Sequence, residues 1–179
     1  MTEHLIPALN IDNSSRHWLI RIAIMRRAIS SDQCPICPEL QNISTLQAWQ
    51  LLESFGVSQQ KILEIILSQY DLEPADFSKV APDVSRLVNE KICRKYHIVP
   101  LYADNNSLTV ASFDPFDSEA DLFLRFSSGR FIKFLVATPE KIASYSNVEI
   151  DDSISHLVGF VAQIDQIKQT FGNNKQTLK

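Results

Sequence analysis

Residues 96–117, YHIVPLYADNNSLTVASFDPFD, alternate between extended and turn signals. HIVPLYA is rich in β-branched and apolar residues, and SLTVASF repeats that texture. Between them, Asp104, Asn105 and Asn106 favour a tight reversal, so the two segments are expected to pair as a hairpin. Asp114-Pro115 then turns the chain into DSEADLFLRFSS, a helix that Asp117 can cap and whose first turn holds Glu119 and Asp121, where acids suit the helix dipole. Gly129 marks the turn before a third strand, FIKFLVA, and Thr138-Pro139 opens a helix that begins PEKIASYS.

Upstream, the texture is helical. In RHWLIRIAIMRRAIS, beginning near Arg16 after a Ser14 or Ser15 cap, Trp18, Ile22, Met25 and Ile29 form one apolar stripe. Arg16 and Arg27 lie opposite that stripe, with Arg21 and Arg26 flanking it, which makes a basic patch on an acidic chain. A connector with Pro35 and Pro38 follows. Ser44 with Gln47 has the spacing of a capping box for a second helix, which Gly56 can end in a left-handed turn. Ser58 caps a third helix, QQKILEIILSQY. Residues 23–34 align with 51–62, matching Ala28 to Gly56, Ile29 to Val57 and Ser30 to Ser58, the outline of an internal repeat.

After a connector with Pro74 and Pro82, VSRLVNEKICRKY reads as a further helix. A last amphipathic helix is expected near 153–171, with Ile154, Leu157, Val161, Ile164 and Ile167 on or near one face. The expected fold class is α+β. A mobile lead-in (1–13) precedes a helical subdomain (14–75) and a small α/β subdomain with a three-stranded sheet (76–150). A C-terminal helix (151–172) and a polar tail (173–179) complete it.

The 179 residues carry a net charge of −4, which argues against general nucleic-acid binding, and their 45% hydrophobic content suffices for a core. No apolar run is long enough to span a bilayer, and the first residues lack the pattern of a signal peptide. With only Gly56, Gly129, Gly159 and Gly172, the sequence offers no phosphate-cradling loop, dinucleotide turn or nucleophile elbow.

Cys34 and Cys37 have the spacing of half a zinc site, which Cys93 and His97 can complete; free thiols are the simpler expectation, and a redox pair is a third. Asp114, Asp117, Glu119 and Asp121 are close enough in sequence for acid–base chemistry, but helix capping accounts for their positions. His156 reads as a surface or edge residue. The stripe of the first helix can pack on its own domain, meet a partner protein, or lie on a membrane.

Tyr96, Val99-Pro100-Leu101, Leu108-Thr109-Val110-Ala111, Asp114-Pro115, Gly129 and Val136-Ala137 stand in a particular order. In that order the chain resembles the N-terminal domain of type II secretion and type IV pilus assembly ATPases, and SFGVSQQKILEIILSQYDLEPADFS is similar to that family's helical hairpin. The resemblance implies a module without chemistry of its own, since the P-loop engine of that family lies in a separate domain. It implies no metal and no cofactor. Its implied role is docking in the cytoplasm, close to the inner membrane, to a membrane-platform protein or the motor ATPase. Trp18, Ile22, Met25, Ile29, Arg21, Arg26 and Arg27 are the candidate partner face.

Some relatives bind cyclic di-GMP through a repeated Arg-Leu-Gly motif followed by a glycine and a terminal glutamine. Here the aligned triplets are Gln47-Ala48-Trp49 and Leu19-Ile20-Arg21, so only Gly56 and Gln69 remain as alternative ligand residues.

Overall fold

In the computed structural model, which describes residues 16–34, 40 and 42–146, Asp104 closes the expected hairpin. Its carboxylate accepts from the backbone N–H groups of Asn106 (2.8 Å) and Ser107 (2.7 Å). In chain order the described elements are α1 (Trp18–Met25), α2 (Thr45–Ser54), α3 (Gln59–Tyr70), α4 (Glu90–Lys95), β1 (Val99–Ala103), β2 (Ser107–Ser112), α5 (Ser118–Ser128), β3 (Phe131–Val136) and α6 (Pro139–Ser146). The fold is α+β, with helices followed by a three-stranded mixed sheet and a further helix.

Strand order is β1-β2-β3. β1 and β2 are antiparallel, with an irregularity between Pro100 and Tyr102. Pro100 sits on an edge strand, where a missing N–H is tolerated. β3 runs parallel to β2 because α5 covers the sheet and carries the chain back to the same end. β2 is buried along nearly its whole length. Leu108 and Val110 pack with Ala120 and Leu124 of α5 and with Val84, Val88 and Ile98. Ala111 and Phe113, with Val99, Leu101 and Leu135, pack with the helices of the first part. The helical and α/β parts therefore share one continuous hydrophobic cluster.

The capping box at Ser44 forms as its spacing predicts: the Gln47 N–H donates to Ser44 Oγ (3.2 Å) and the Ser44 N–H to Gln47 Oε1 (2.9 Å). Ser58 caps α3 by accepting from the Lys61 N–H (3.3 Å).

Two limits of α1 differ from expectation. The cap of α1 is His17, not Ser14 or Ser15. α1 stops at Met25 instead of continuing toward Ser30, because Arg27 takes a left-handed conformation (φ 58°) and the Ala28 N–H closes back on Ala23 O (2.9 Å). α2 ends in the same way, with Gly56 at φ 85° and the Val57 N–H on Leu52 O (3.1 Å). Arg27, not Ala28, thus stands where Gly56 stands. Ile29 and Val57 are both buried, and Ser30 and Ser58 both open the next turn, so the first copy of the repeat carries one extra residue.

The helix expected from residue 83 is broken as well. Val84–Leu87 forms a 3-10 turn, Val88 is extended and buried, and Asn89 caps α4 afresh through the Lys91 N–H (2.8 Å). The expected lead-in, C-terminal helix and tail, together with Cys37 and His156, lie outside the described residues.

Candidate functional site

Two buried polar contacts join the helical part to the loop that leaves β2. His17 Nδ1 accepts from the Leu19 N–H (3.3 Å), which leaves the hydrogen of the neutral ring on Nε2. That nitrogen lies 3.2 Å from Thr45 Oγ1, and the Thr45 hydroxyl donates in turn to Asp114. Asp114 also accepts from the Phe116 N–H (3.2 Å). Beside this chain, the fully buried indole of Trp49 donates from Nε1 to Phe113 O (3.2 Å). Asp114-Pro115 is therefore the point at which α1 and α2 hold the sheet.

The loop so fixed presents Phe116. Its ring meets Trp18 (5.0 Å between centroids) and Tyr70 (4.7 Å) edge to face, with Trp18 and Tyr70 6.0 Å apart. Next to this cluster Arg26 Nε donates to Gln69 Oε1 (3.0 Å). Phe116 and Tyr70 are 47% and 37% exposed beside the Arg26–Gln69 bond, and Met25, the neighbour of Arg26 at the end of α1, is 57% exposed. The cluster draws on α1, the end of α3 and the loop after β2.

The stripe expected on α1 is divided. Ile22 and Ile29 are buried in the domain's own core, Trp18 is half-buried, and Met25 is exposed. Arg26 and Arg27 are exposed and Arg21 is half-buried. Gln69 joins Arg26, while Gly56 lies at the other end of α3, roughly 16 Å away along the helix. Sequence reasoning missed Tyr70, Phe116, His17, Thr45 and Trp49. Phe116 was visible beside Asp114-Pro115, but that turn drew attention for its acids.

Burial, with the Arg21 charge second, pushes the His17 pKa down to about 4. Burial raises that of Asp114, against the lowering effect of its hydrogen bonds from Thr45 and the Phe116 N–H. The Thr45 hydroxyl is buried and committed to Asp114, so the chain of bonds works as a clamp.

The pH dependence follows. The folded pKa of His17 is below its unfolded value, so its contribution is full above about pH 6.5 and is lost as pH falls toward 4. That loss is roughly 2–3 kcal/mol. Asp114 works in the opposite sense, because the fold takes up its proton more readily than the unfolded chain does, and it offsets part of the loss at the acid end. Urea unfolding of His17→Asn, which keeps an N-cap acceptor, is expected to give a flatter stability profile between pH 4 and 6.5 than the wild type. An unchanged slope contradicts the assignment.

The other acids each have structural partners. Asp117 caps α5 through the Ala120 N–H (2.9 Å), Glu119 pairs with Lys95 (3.0 Å) and Asp121 with Arg125 (2.8 Å). Among the described residues no group of three or more His, Cys, Asp or Glu side chains is placed to hold a metal. Cys34 lies in the core shared with the helices, whereas Cys93 packs on the α5 side of the sheet, where burial pushes its thiol up to about 11. No helix among the described residues is long and apolar enough to cross a membrane.

Comparison with known proteins agrees with the α+β fold. Residues 69–147 match the family model of the MshEN domain. A structure of MshE with cdg is 20% identical, with a TM-score of 0.55 over 74% of this chain and 98% of that one. The N-terminal domain of XpsE is 18% identical, with a TM-score of 0.56 over 72% of this chain and 91% of that one. No curated protein matches the chain. Over residues 69–147 the chain is thus similar to the MshEN domain, and its fold is that of MshE and of the N-terminal domain of XpsE.

Proposed function

We propose that this chain is a non-catalytic adaptor of a secretion or pilus machine. It docks in the cytoplasm to an inner-membrane platform protein or to the motor ATPase. The observation that carries this reading is the surface of Met25, Tyr70 and Phe116 beside Arg26. Exposed aromatic residues with an arginine have the composition of a protein-binding hot spot. Within the candidate stripe, Trp18, Met25, Arg26 and Arg27 remain available at the surface, while Ile22 and Ile29 support them from the core. Where that surface meets the partner, peripheral contact of the module with the inner membrane follows.

The rival reading is a cyclic di-GMP receptor, motivated by the cdg in the MshE structure. Three features of this chain weigh against it. In the triplet aligned with Arg-Leu-Gly, Gln47 is used in a capping box and Ala48 is buried, while the Trp49 indole stands in place of the glycine. The extra residue in the first copy moves its triplet to Trp18-Leu19-Ile20, which also lacks the arginine that would pair with a phosphate or a guanine edge. Gln69, one of the two surviving ligand residues, is bonded to Arg26.

Calorimetric titration distinguishes the two readings. With cyclic di-GMP the chain is expected to give no binding heat into the high micromolar range. With the cytoplasmic region of the platform protein it is expected to give a saturating isotherm. Saturable heat from the nucleotide, with none from the platform protein, overturns the docking reading.

A further inference from the structure

The outer face of α5 is apolar. Ala120 and Leu124 turn inward and are fully buried, whereas Leu122, Phe123 and Phe126 are 65%, 42% and 90% exposed. Phe131, at the start of β3, is 69% exposed, and the Arg125 guanidinium lies over its ring at 5.8 Å. Together these side chains expose roughly 500 Å² of apolar surface, taking about 200 Å² for a whole aromatic side chain. A patch of that size on one molecule is commonly a binding surface.

The charges around the patch are ordered along the helix. Asp117, Glu119 and Asp121 stand at its N-terminal end, and Arg125 and Arg130 at or just beyond its C-terminal end. A second α5 laid antiparallel sets each acidic end against a basic end and opposes the two helix dipoles.

We propose that this face is a two-fold interface through which two copies of the chain pair, α5 against α5 in antiparallel orientation. The surface is self-complementary, as a two-fold contact requires. Leu122 and Phe126, one turn apart, form the ridge that packs into the groove of the partner helix. Two such patches bring about 1,000 Å² together, the lower bound of a specific interface. The ion pairs Lys95–Glu119 and Arg125–Asp121 involve mainly exposed side chains, so their exchange for contacts across the interface costs little. Because α5 covers the sheet face opposite the helical part, the pair leaves both Met25–Tyr70–Phe116 surfaces free. Such a pair holds a membrane platform at two points and gains avidity. The proposal does not depend on the docking reading, because it concerns the other side of the sheet.

Sedimentation velocity on the full chain over a wide concentration range tests it. The weight-average mass is expected to rise with concentration from 20.3 kDa toward twice that value. Phe126→Glu, at a side chain nine-tenths exposed, is expected to weaken association about 30-fold or more while leaving the far-UV circular dichroism unchanged. A dimer that persists in Phe126→Glu overturns the proposal by putting the interface elsewhere, and so does a wild-type monomer at every concentration. In the monomer case, Phe126→Cys with mass-mapped labelling assigns the face. A shielded position 126 means residues 147–179 cover it, and a reactive one means it serves a different partner.

Discussion

Trp49→Ala is expected to lower the unfolding free energy by about 3–5 kcal/mol and the midpoint temperature by roughly 10–15 °C. Trp49 is fully buried where α2 meets the sheet, and its indole lies in the cluster that joins the helices to Val99, Leu101 and Phe113. Removing it leaves a cavity between the helices and the sheet, and it orphans the Phe113 carbonyl. Trp49→Phe separates these causes, since it keeps most of the volume and loses the N–H donor; its expected cost is about 1–2 kcal/mol. Urea unfolding followed by circular dichroism reads both variants. A loss below about 1 kcal/mol for Trp49→Ala contradicts the view that this residue holds the two parts together.

The second large effect is expected at Thr45. Valine has the same shape but no hydroxyl, so Thr45→Val removes the link between His17 and Asp114 without opening a cavity. It strips from a largely buried carboxylate one of the two hydrogen bonds that favour its charged form. The expected loss is about 2–3 kcal/mol at neutral pH. The loss should shrink as pH falls, because burial raises the Asp114 pKa and the protonated carboxyl depends less on a donor. Adding Asp114→Asn to Thr45→Val should recover part of the loss, because no buried charge then lacks a donor. If Thr45→Val matches the wild type from pH 5 to 8, the clamp is not a stability element.

The features that sequence disclosed are those decided within a few residues. The capping box at Ser44 and Gln47 and the Asp104–Asn106 turn each depend on side chains bonding nearby backbone, and both form as read. The end of α1 was not legible, because nothing in Arg27 announces a left-handed residue and Gly56 was matched one position too late. The break at Val88 and Asn89 was hidden by an apolar pattern that also suits a continuous helix. The parallel pairing of β3 follows from how α5 crosses the sheet, a non-local choice.

The site was legible only in outline for the same reason. The α1 stripe could be drawn, but which of its members reach solvent depends on α2, α3 and the sheet, and they bury Ile22 and Ile29. The clamp unites His17, Thr45 and Asp114, and the aromatic surface unites Trp18, Tyr70 and Phe116. Each set is assembled from segments far apart in the chain, and only the packing of the two parts brings them together.

The docking account is tested most directly by measuring how the cytoplasmic region of the platform protein binds the wild type, Met25→Asp, Phe116→Asp and, as a distant control, Arg86→Glu. Met25 and Phe116 are exposed, and Arg86 is an exposed side chain paired with the exposed Asp83, so all three variants should fold. Biolayer interferometry is expected to show binding about 30-fold weaker or worse for Met25→Asp and Phe116→Asp, with Arg86→Glu equal to the wild type. Equal affinity across all four proteins, with their melting temperatures unchanged, would contradict the assignment of this face.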